Sequence, residues 1–508
     1  MNLAELAGRK IREFGEYVTL IFEDNEYTNV QMHEQSKRFA GGLKRLGIKP
    51  DDKVMVLMPN CPEVLISYPA IWRLGAIIVP VLFLLEAHEV SYIAADSEAA
   101  AIITSPEFLY KVQEARRNAP SLRHVIIVGD EQHPDTILFN RLVEEPEPVN
   151  SIYPTKDDDV AALLYTSGTT GRPKGVMLAH KNLHAQAINT KNTAGDADRG
   201  DVSLVVLPLS HSYGLGLLVS GYVSDRTGRA VLLRWFNLEE VFRAIEKYKV
   251  ANMAGVPTMF IYMLHYPEAD KYDTTSVQTW LVGAAPMPLE KLREFEQKFG
   301  GVMHVAYGLT EAAPGVAAQR DSDPRKPGSV GTAMAGVEVK IFDENDGELP
   351  PNSVGEIVCR GDNIMLGYYK MPEDTEKTLR GGWLHTGDMG YLDEDGHLFI
   401  VERKKDLIIR GGFNIYPKDV EDVLYLHPAV AEAAVVGKAD ETMGEEVMAY
   451  VTLKPGAVAK AEELIAHCQS RLAKYKCPRR VEFLDAMPKT PIGKIQKKEL
   501  RKLAAQQG

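Results

Sequence analysis

Short apolar runs alternate with longer mixed segments through the first part of the chain. Four such runs fall between residues 53 and 128: KVMVLM, AIIVPV, AAIIT and RHVIIV. The alternation resumes at residues 160–164, 202–207, 229–233, 279–282 and 302–306. Apolar runs of this length, separated by helix-length segments, predict the strands and helices of a doubly wound α/β fold.

One intervening helix is specified in detail. Asn237 is a favourable N-cap residue, and Glu240 three positions later would complete a capping box. The apolar residues that follow recur at helical spacing and share one face: Leu238, Val241, Phe242, Ile245 and Tyr248. The pattern predicts a helix that begins after Asn237 and buries this face.

Beyond residue 330 the pattern changes to β-hairpins, as in segments 337–361 and 390–403, where Asp395-Gly396 is a turn signal. We interpret this region as a β subdomain that completes a large N-terminal domain. A domain boundary is predicted in the charged segment ERKKD, residues 402–406, because a new α+β pattern begins there. The predicted domains are residues 1–404 and residues 405–508.

Composition and charge exclude several classes of protein. With 45% apolar and 25% charged residues, the 508-residue chain has the composition of a soluble globular protein. Its net charge of −12 argues against binding along nucleic acid. The four cysteines lie far apart without a C-x-x-C pair, so neither a zinc site nor a disulfide framework is indicated. A reducing, cytoplasmic location is therefore expected.

No secretory signal or transmembrane segment is expected. The N-terminus lacks a basic start followed by a long apolar run. The most hydrophobic window, residues 64–85, is interrupted by Pro69, Arg73 and Pro80, and a spanning helix needs about 20 predominantly apolar residues. Buried core is the better interpretation of this window.

A segment rich in glycine and hydroxyl side chains follows one predicted strand: Tyr165-Thr-Ser-Gly-Thr-Thr-Gly-Arg-Pro-Lys-Gly175. Its glycines allow backbone N–H groups to approach phosphate oxygens, its hydroxyls add donors, and Lys174 adds a positive charge. Composition alone fits a flexible linker equally well, but the flanking strands favour a phosphate-binding loop. It is not a P-loop, because Gly175 stands where Ser or Thr is required.

Five further segments accompany this loop in a fixed order: Tyr307-Gly-Leu-Thr-Glu311, Trp383-Leu-His-Thr-Gly-Asp388, Glu402-Arg-Lys-Lys-Asp406, Gly411-Gly-Phe-Asn-Ile-Tyr-Pro417 and Pro488-Lys-Thr-Pro-Ile-Gly-Lys494. Together the six segments resemble the adenylate-forming superfamily, which includes acyl-CoA synthetases, adenylation domains of peptide synthetases and firefly-type luciferases. The resemblance implies an AMP-forming acid–thiol ligase with ATP and coenzyme A as co-substrates. Such an enzyme joins a carboxylate to the α-phosphate of Mg-ATP, releases pyrophosphate and transfers the acyl group to a thiol.

The resemblance also implies a role for each motif residue. Thr310 would contact the α-phosphate, and Glu311 would ligate Mg²⁺. Asp388 would accept both ribose hydroxyls with help from Arg403, although such a pair alone would more often be structural. Tyr307 would stack on adenine. The other implied nucleotide-binding residues are Thr166, Ser167, Gly168, Thr169, Thr170, Gly171 and Lys174 around the β- and γ-phosphates, Gly283, Ala284, Ala285 and Pro286 at the edge of adenine, and Gly308.

Four residues are implied in the two half-reactions. Lys494 resembles the lysine that bridges the attacking carboxylate and the α-phosphate. His211 resembles a position beside the carboxylate and the thiol channel, where it would act as a base or as a gate. Lys405 resembles the hinge of a mobile C-terminal domain that presents two faces in turn, and Gly412 would line the pantetheine tunnel.

The acyl-pocket segments implied by the resemblance contain no Lys or Arg, and Glu311 is their only acid: 207–215, 255–260, 283–288 and 304–316. Ser212 stands where amino-acid-adenylating domains carry an Asp. Because a buried charge needs a partner, a dicarboxylate or an amino acid would be poorly hosted. The expected substrate is a neutral hydrophobic acid, either a medium- or long-chain fatty acid or an aromatic or alicyclic one.

Two other functions stay open at this level. One is an adenylating enzyme that loads a carrier protein or another acceptor, and the other is an adenylate-binding regulatory protein. The intact residues Lys174, Glu311 and Lys494 argue against the regulatory protein. Residues 471–502 include 11 basic and 3 acidic residues, which form a solvated face or a surface for weak peripheral contact with anionic lipid. A homodimer is compatible with the sequence.

Overall fold

The structure, a computed structural model, describes residues 1–166, 173–194, 200–411, 413–440, 442–490 and 493–506, with only the main chain at residues 405 and 414. The helices in these ranges are α1 (Ala4–Phe14), α2 (Asn29–Arg45), α3 (Pro62–Arg73), α4 (Ala87–Ser97), α5 (Leu109–Asn118), α6 (Phe139–Glu144), α7 (His180–Ala194), α8 (Ser212–Val223), α9 (Leu238–Tyr248), α10 (Pro257–Leu264), α11 (Leu289–Phe299), α12 (Pro372–Thr378), α13 (Pro417–Tyr425), α14 (Ala461–Gln469) and α15 (Lys497–Gln506).

The strands in the described ranges are β1 (Val18–Phe22), β2 (Asn25–Thr28), β3 (Lys53–Leu57), β4 (Ile77–Pro80), β5 (Ala101–Thr104), β6 (His124–Ile127), β7 (Ile137–Leu138), β8 (Val160–Thr166), β9 (Lys174–Ala179), β10 (Val202–Val205), β11 (Arg229–Leu232), β12 (Asn252–Gly255), β13 (Thr279–Val282), β14 (Val302–Gly308), β15 (Gly315–Ala318), β16 (Thr332–Ala333), β17 (Val337–Phe342), β18 (Gly355–Gly361), β19 (Gly367–Tyr368), β20 (Leu384–Leu392), β21 (Leu398–Arg403), β22 (Ile408–Arg410), β23 (Phe413–Ile415), β24 (Val430–Asp440), β25 (Gly444–Leu453) and β26 (Arg480–Phe483).

Two large sheets dominate the N-terminal part, and every predicted apolar run forms one of their strands. Their orders are β16-β15-β14-β13-β12-β10-β11-β1-β2 and β19-β9-β8-β4-β3-β5-β6-β7. Neighbouring strands are parallel from β14 to β1 and from β8 to β7. Their central strands are buried because helices cover both faces of such sheets. The predicted fold class is confirmed.

Helix α9 begins where its sequence predicts. The side chain of Asn237 accepts a hydrogen bond from the backbone N–H of Glu240 at 3.1 Å, which satisfies one of the free donors of the first turn. Val241, Phe242 and Ile245 are fully buried in the core beneath the nine-stranded sheet. The predicted apolar face is therefore the face that packs.

The predicted hairpins form a smaller antiparallel sheet in the order β17-β18-β20-β21. Gly396 has a φ of +78° in the turn between β20 and β21, a conformation that favours glycine. This sheet carries two predicted site residues, Asp388 on β20 and Arg403 on β21.

The C-terminal residues form a separate layer. Strands β22 to β26 make a five-stranded sheet, and two hydrophobic clusters there contain only residues from Ile408 onwards. The boundary after residue 404 and the hinge at Lys405 stay predictions. In the basic segment 471–502 most cations form ion pairs, including Lys476 with Asp419 and Lys502 with Glu499. Its contact with anionic lipid also stays a prediction. Within the described ranges, the helices are too short or too polar to cross a membrane.

Candidate active site

The predicted site residues follow the carboxyl ends of parallel strands, where ligands bind in open α/β sheets. Strand β13 ends just before Gly283, and β14 ends just before Thr310 and Glu311. His211 caps the N-terminus of α8, which follows β10. Elements distant in sequence thus bring these residues to one edge of the nine-stranded sheet.

Asp388 is a buried carboxylate with a partner on each oxygen. Its Oδ1 lies 3.1 Å from Nε of Arg403, the residue opposite it on the neighbouring strand. Its Oδ2 accepts a hydrogen bond from the hydroxyl of Tyr307 at 2.6 Å. Burial and this carboxylate raise the pKa of Tyr307 well above its ordinary value, and the carboxylate also raises the pKa of Arg403. The three residues form one preorganised cluster.

Thr310 and Glu311 occupy a short turn after β14. The hydroxyl of Thr310 lies 3.1 Å from that of Ser212, at the start of α8. A carboxylate oxygen of Glu311 accepts a hydrogen bond from the hydroxyl of Tyr368 at 2.9 Å. Burial, followed by the charge of Glu311, raises the pKa of Tyr368. Tyr368 was not predicted from sequence, since it lies in the two-residue strand β19.

The predicted phosphate loop joins two antiparallel strands. Thr166 ends β8 and lies opposite Lys174, the first residue of β9. A P-loop instead leads from a strand into a helix. Nζ of Lys174 lies 2.9 Å from Oδ2 of Asp374 on α12. The remaining predicted loop residues lie outside the described part of the chain: Ser167, Gly168, Thr169, Thr170 and Gly171.

Lys494 reaches the same cluster from the C-terminal layer. Its backbone N–H donates to Oγ1 of Thr490 at 3.0 Å, and Thr258 on α10 donates to the carbonyl of Gly493 at 2.7 Å. These bonds hold the turn against the large sheet. Burial and the positive charge of Arg403 lower the pKa of Lys494 to about 8, while two nearby acids oppose this shift. The two acids are Asp388 and Glu311.

His211 is held as a neutral imidazole. Its Nδ1 accepts a hydrogen bond from the backbone N–H of Tyr213 at 3.2 Å, so the proton of the neutral ring belongs on Nε2. Burial, followed by the charge of Lys494, lowers the pKa of His211 to about 3. At neutral pH the ring therefore presents an N–H donor, with its only acceptor nitrogen already occupied.

Steric contacts explain why small residues stand at Gly308 and at the predicted adenine edge. A Cβ at Gly308 would lie 1.7 Å from the carbonyl oxygen of Pro314, so no other residue fits there. A Cβ at Gly283 would lie 3.3 Å from the carbonyl oxygen of Ala306. Ala284 adopts a φ of +70° and lines the adjoining cavity. Ala285 is half-buried and Pro286 is exposed beside it.

A cavity of about 190 Å³ extends from His211 and Gly493 towards the surface. Its walls are largely apolar, and at its outer end Phe83 and Trp235 meet edge to face with ring centroids 5.2 Å apart. The hydroxyl of Tyr213 in its wall is buried and has no hydrogen-bond partner within the described residues. This cavity is the candidate for the predicted acyl pocket.

The segments predicted to line the acyl pocket contribute no Lys or Arg to this cavity. Other segments of the chain do. Arg234 and Lys489 also line the cavity, from segments that the sequence did not single out. Each has a counter-ion: Glu23 lies 2.8 Å from Arg234, and Glu432 lies 2.8 Å from Lys489. The pocket therefore contains charge but little net charge.

Comparison with known proteins then decides the family. Residues 8–369 match the family model of the AMP-binding enzyme, and residues 419–494 match the AMP-binding enzyme C-terminal domain. The chain belongs to the AMP-binding enzyme family. Together with the relatives described below, these matches confirm the predicted superfamily and the predicted enzyme class, an AMP-forming acid–thiol ligase.

Three relatives illustrate this family. A long-chain-fatty-acid–CoA ligase of Bacillus subtilis is 36% identical, covering 96% of this chain and 92% of its own. A feruloyl-CoA synthase of Amycolatopsis is also 36% identical, covering 94% and 93%. The crystal structure of the anthranilate CoA ligase AuaEII in complex with anthranoyl-AMP superposes with a TM-score of 0.93 at 28% identity, covering 99% and 97%.

Proposed function

We propose that the protein is an acyl-CoA ligase that activates a neutral hydrophobic carboxylic acid with Mg-ATP and transfers the acyl group to coenzyme A. One observation carries this proposal: Lys494, from the C-terminal layer, interacts electrostatically with Arg403, Asp388 and Glu311, and its neighbour Gly493 lines an apolar pocket. A protein that only bound an adenylate would not need a lysine there. Loading of a carrier protein is not favoured, because the relatives are named CoA ligases.

In the first half-reaction a carboxylate oxygen attacks the α-phosphorus of ATP, and pyrophosphate leaves. Both reactants are anions, so neutralising their charge matters more than removing a proton. The ammonium of Lys494 would lie between the carboxylate and the α-phosphate, and the hydroxyl of Thr310 would donate to the same phosphate. Lys174 would neutralise the outer phosphates.

Mg²⁺ would neutralise phosphate charge as ATP binds, and we propose Glu311 as the residue that holds it. No cluster of three or more metal-binding side chains occurs within the described ranges. A single carboxylate nevertheless fits Mg²⁺, which usually takes one or two carboxylates and completes its shell with phosphate oxygens and water. Tyr368 fixes the orientation of this carboxylate through its hydrogen bond.

The nucleoside would lie between β14 and the four-stranded sheet. Asp388 would accept the ribose hydroxyls, and its ion pair with Arg403 would hold it in place. The ring of Tyr307 would stack on adenine while its hydroxyl positions Asp388. Gly283, Ala284, Ala285 and Pro286 would frame the edge of adenine.

In the second half-reaction the thiol of coenzyme A loses its proton to solvent, its sulfur attacks the acyl carbon, and AMP leaves with the bridging oxygen. His211 is poorly suited to take the thiol proton, since its Nδ1 is occupied and its pKa is about 3. We therefore assign it a gating and donor role between the acyl pocket and the thiol channel. The C-terminal layer would turn about Lys405 to clear Lys494 from the thiol path. Gly412, proposed for that path, lies outside the described residues.

The pocket favours a compact hydrophobic acid. Its volume of about 190 Å³ suits an aromatic, alicyclic or medium-chain group, while a longer chain would extend past Trp235 into solvent. Its two cations are paired, so a second carboxylate would have to displace Glu23 or Glu432. Pyrophosphate release with coenzyme A against linear, branched and aromatic acids, with matched dicarboxylates, tests this preference.

Lys494→Ala tests the central role. We expect acid-dependent pyrophosphate exchange to fall by about a hundredfold or more, because the ammonium stabilises charge in that transition state. Thioester formation from supplied acyl-adenylate should be largely preserved. Lys498→Ala removes an exposed lysine four residues away and is the matched control. Equal loss of both half-reactions in Lys494→Ala would contradict the assignment.

A further inference from the structure

The helix α12 is fixed beside the phosphate-loop lysine by main-chain pairing. The short strand β19 pairs antiparallel with β9, with Tyr368 opposite Val176. The N–H of Tyr369 then donates to the carbonyl of Gly175 at 2.7 Å. Because β9 begins with Lys174, this pairing holds the start of α12 next to that residue.

Packing within the turn fixes α12 further. Oγ1 of Thr375 accepts a hydrogen bond from the N–H of Tyr368 and donates to the carbonyl of Met371, both at 2.8 Å. Gly367 has a φ of +142°, and a Cβ there would lie 2.5 Å from the methyl group of Thr375. The position of Asp374 is thus set by backbone geometry.

Asp374 and Lys174 form a partly exposed ion pair. Their Oδ2 and Nζ atoms are 2.9 Å apart, and their side chains are 30% and 14% exposed, respectively. The same ammonium lies 4.9 Å from the ring centroid of Tyr368, whose hydroxyl donates to Glu311. One tyrosine therefore connects the proposed phosphate lysine with the proposed Mg²⁺ ligand.

We propose that Asp374 is a positioning residue that competes with the outer phosphates of ATP for the ammonium of Lys174. This inference rests on the proposed function, which assigns Lys174 to those phosphates. While the carboxylate stays on the lysine, it neutralises the positive charge that would otherwise attract the phosphates. ATP must therefore displace it, and the carboxylate recovers the lysine as pyrophosphate leaves. Asp374 lowers the affinity for ATP and for pyrophosphate and speeds product release.

The test is equilibrium binding of a non-hydrolysable ATP analogue and of pyrophosphate, each with Mg²⁺, to the full-length chain. Asp374→Asn keeps the shape and removes the charge, so both dissociation constants should fall by about fivefold, the scale of a partly exposed ion pair. If pyrophosphate release limits turnover, kcat and the KM for ATP should fall together. Asp374→Glu should restore values near those of the unchanged enzyme. Glu376→Gln makes the same charge change at an exposed position of α12 and measures the general electrostatic effect.

A second variant shows whether the effect acts through the lysine. In a Lys174→Met background, Asp374→Asn should change binding no more than Glu376→Gln does. Unchanged or weaker binding in Asp374→Asn, or a gain that persists without the lysine, would overturn the inference. If Lys174→Met alone leaves ATP binding unchanged, the phosphate role of Lys174 fails instead. Absence of acid-dependent pyrophosphate exchange by the unchanged enzyme would reject the proposed function while leaving the binding results interpretable. Melting temperatures confirm that each variant folds.

Discussion

The charge of Lys494 depends on pH within the range in which the enzyme can be assayed. Its pKa is lowered from the ordinary 10.5 to about 8, so the side chain is an ammonium below that value and a neutral amine above it. Because the proposed first half-reaction uses the ammonium, acid-dependent pyrophosphate exchange should fall as pH rises through about 8. Thioester formation from supplied adenylate should not fall, since more thiol ionises as pH rises. A flat exchange rate from pH 7 to pH 9.5 would contradict this.

The ion pair between Arg234 and Glu23 predicts that removing Glu23 changes the preference for the acid substrate. Its Nε and Nη2 both contact the same oxygen of Glu23, at 2.9 and 2.8 Å. Glu23→Gln removes the counter-ion and leaves a cation in the pocket wall. We expect kcat/KM for an acid with a second, distal carboxylate to rise by about fivefold relative to the matched neutral acid. Glu26→Gln makes the same charge change at an exposed position of β2 and is the control. If Glu23→Gln leaves the ratio of the two kcat/KM values unchanged, this role for Arg234 is excluded.

Strand β14 and the turn after it depend on one glycine. In Gly308→Ala the new methyl group would overlap the carbonyl oxygen of Pro314, and backbone on both sides must move. We expect a loss of about 1–3 kcal/mol in the free energy of unfolding, typical of overpacking, and a raised KM for ATP because Thr310 and Glu311 shift with the strand. Chemical denaturation and steady-state kinetics measure the two effects.

Gly221→Ala is the matched control for Gly308→Ala. Gly221 lies inside helix α8, and a Cβ there would have no neighbour within 4 Å. Alanine in a helix interior is favoured over glycine by about 0.5–1 kcal/mol, so this change should be neutral or stabilising. Equal losses in the two variants would show that the clearance at Gly308 is not what matters.

At the level of elements, the strands with continuous apolar runs were predictable, and one central strand was not. The strand β12, Asn252–Gly255, has the sequence NMAG and shows no apolar run. It forms because β10 and β13 supply hydrogen bonds on both sides, which local sequence does not reveal. The start of α9 was predictable because its cap is local.

The candidate site likewise contains residues that the sequence could identify and residues that it could not. Asp388, Arg403 and Thr310 stand in contiguous motifs and could be named from sequence, whereas their mutual contacts follow only from sheet pairing. Asp374 and Arg234 carry no motif of their own. They reach the site because β19 pairs with β9 and because the segment after β11 passes the pocket mouth. Tertiary pairing of distant segments is the information that the sequence pattern lacks.

Across the whole molecule, a small set of contacts fixes the C-terminal layer against the rest. Thr258 bonds to Gly493, Tyr262 lies 2.9 Å from Nζ of Lys489, and Lys418 donates to the carbonyl of Ile400 at 2.8 Å. These contacts hold the turn that carries Lys494. They favour the arrangement that we propose for the first half-reaction, and the proposed rotation of the layer would have to break them.

Lys497, whose side chain is 17% exposed, joins the two sides of the proposed hinge. Its Nζ lies 3.1 Å from Glu402, before the hinge, and 3.0 Å from Glu421, after it. Burial opposes the charge of Lys497, but Glu421 and Glu402 raise its pKa above the ordinary value. Burial raises the pKa of Glu421, against the effect of the lysine. The lysine stays charged and attracts both acids, so it holds the layer in the observed arrangement.

Glu402→Gln tests whether this contact selects the arrangement. It removes the attraction across the hinge, while Glu421 continues to pair with Lys497 and protects the fold. Weakening the observed arrangement by about 1 kcal/mol would lower its population relative to the rotated one by about fivefold. Single-turnover measurements should therefore show slower adenylation, with thioester formation from supplied adenylate unchanged or faster. Glu394→Gln, an exposed change in the turn before β21, is the control. Parallel losses in both half-reactions would mean that Glu402 supports the site itself and not the choice between arrangements.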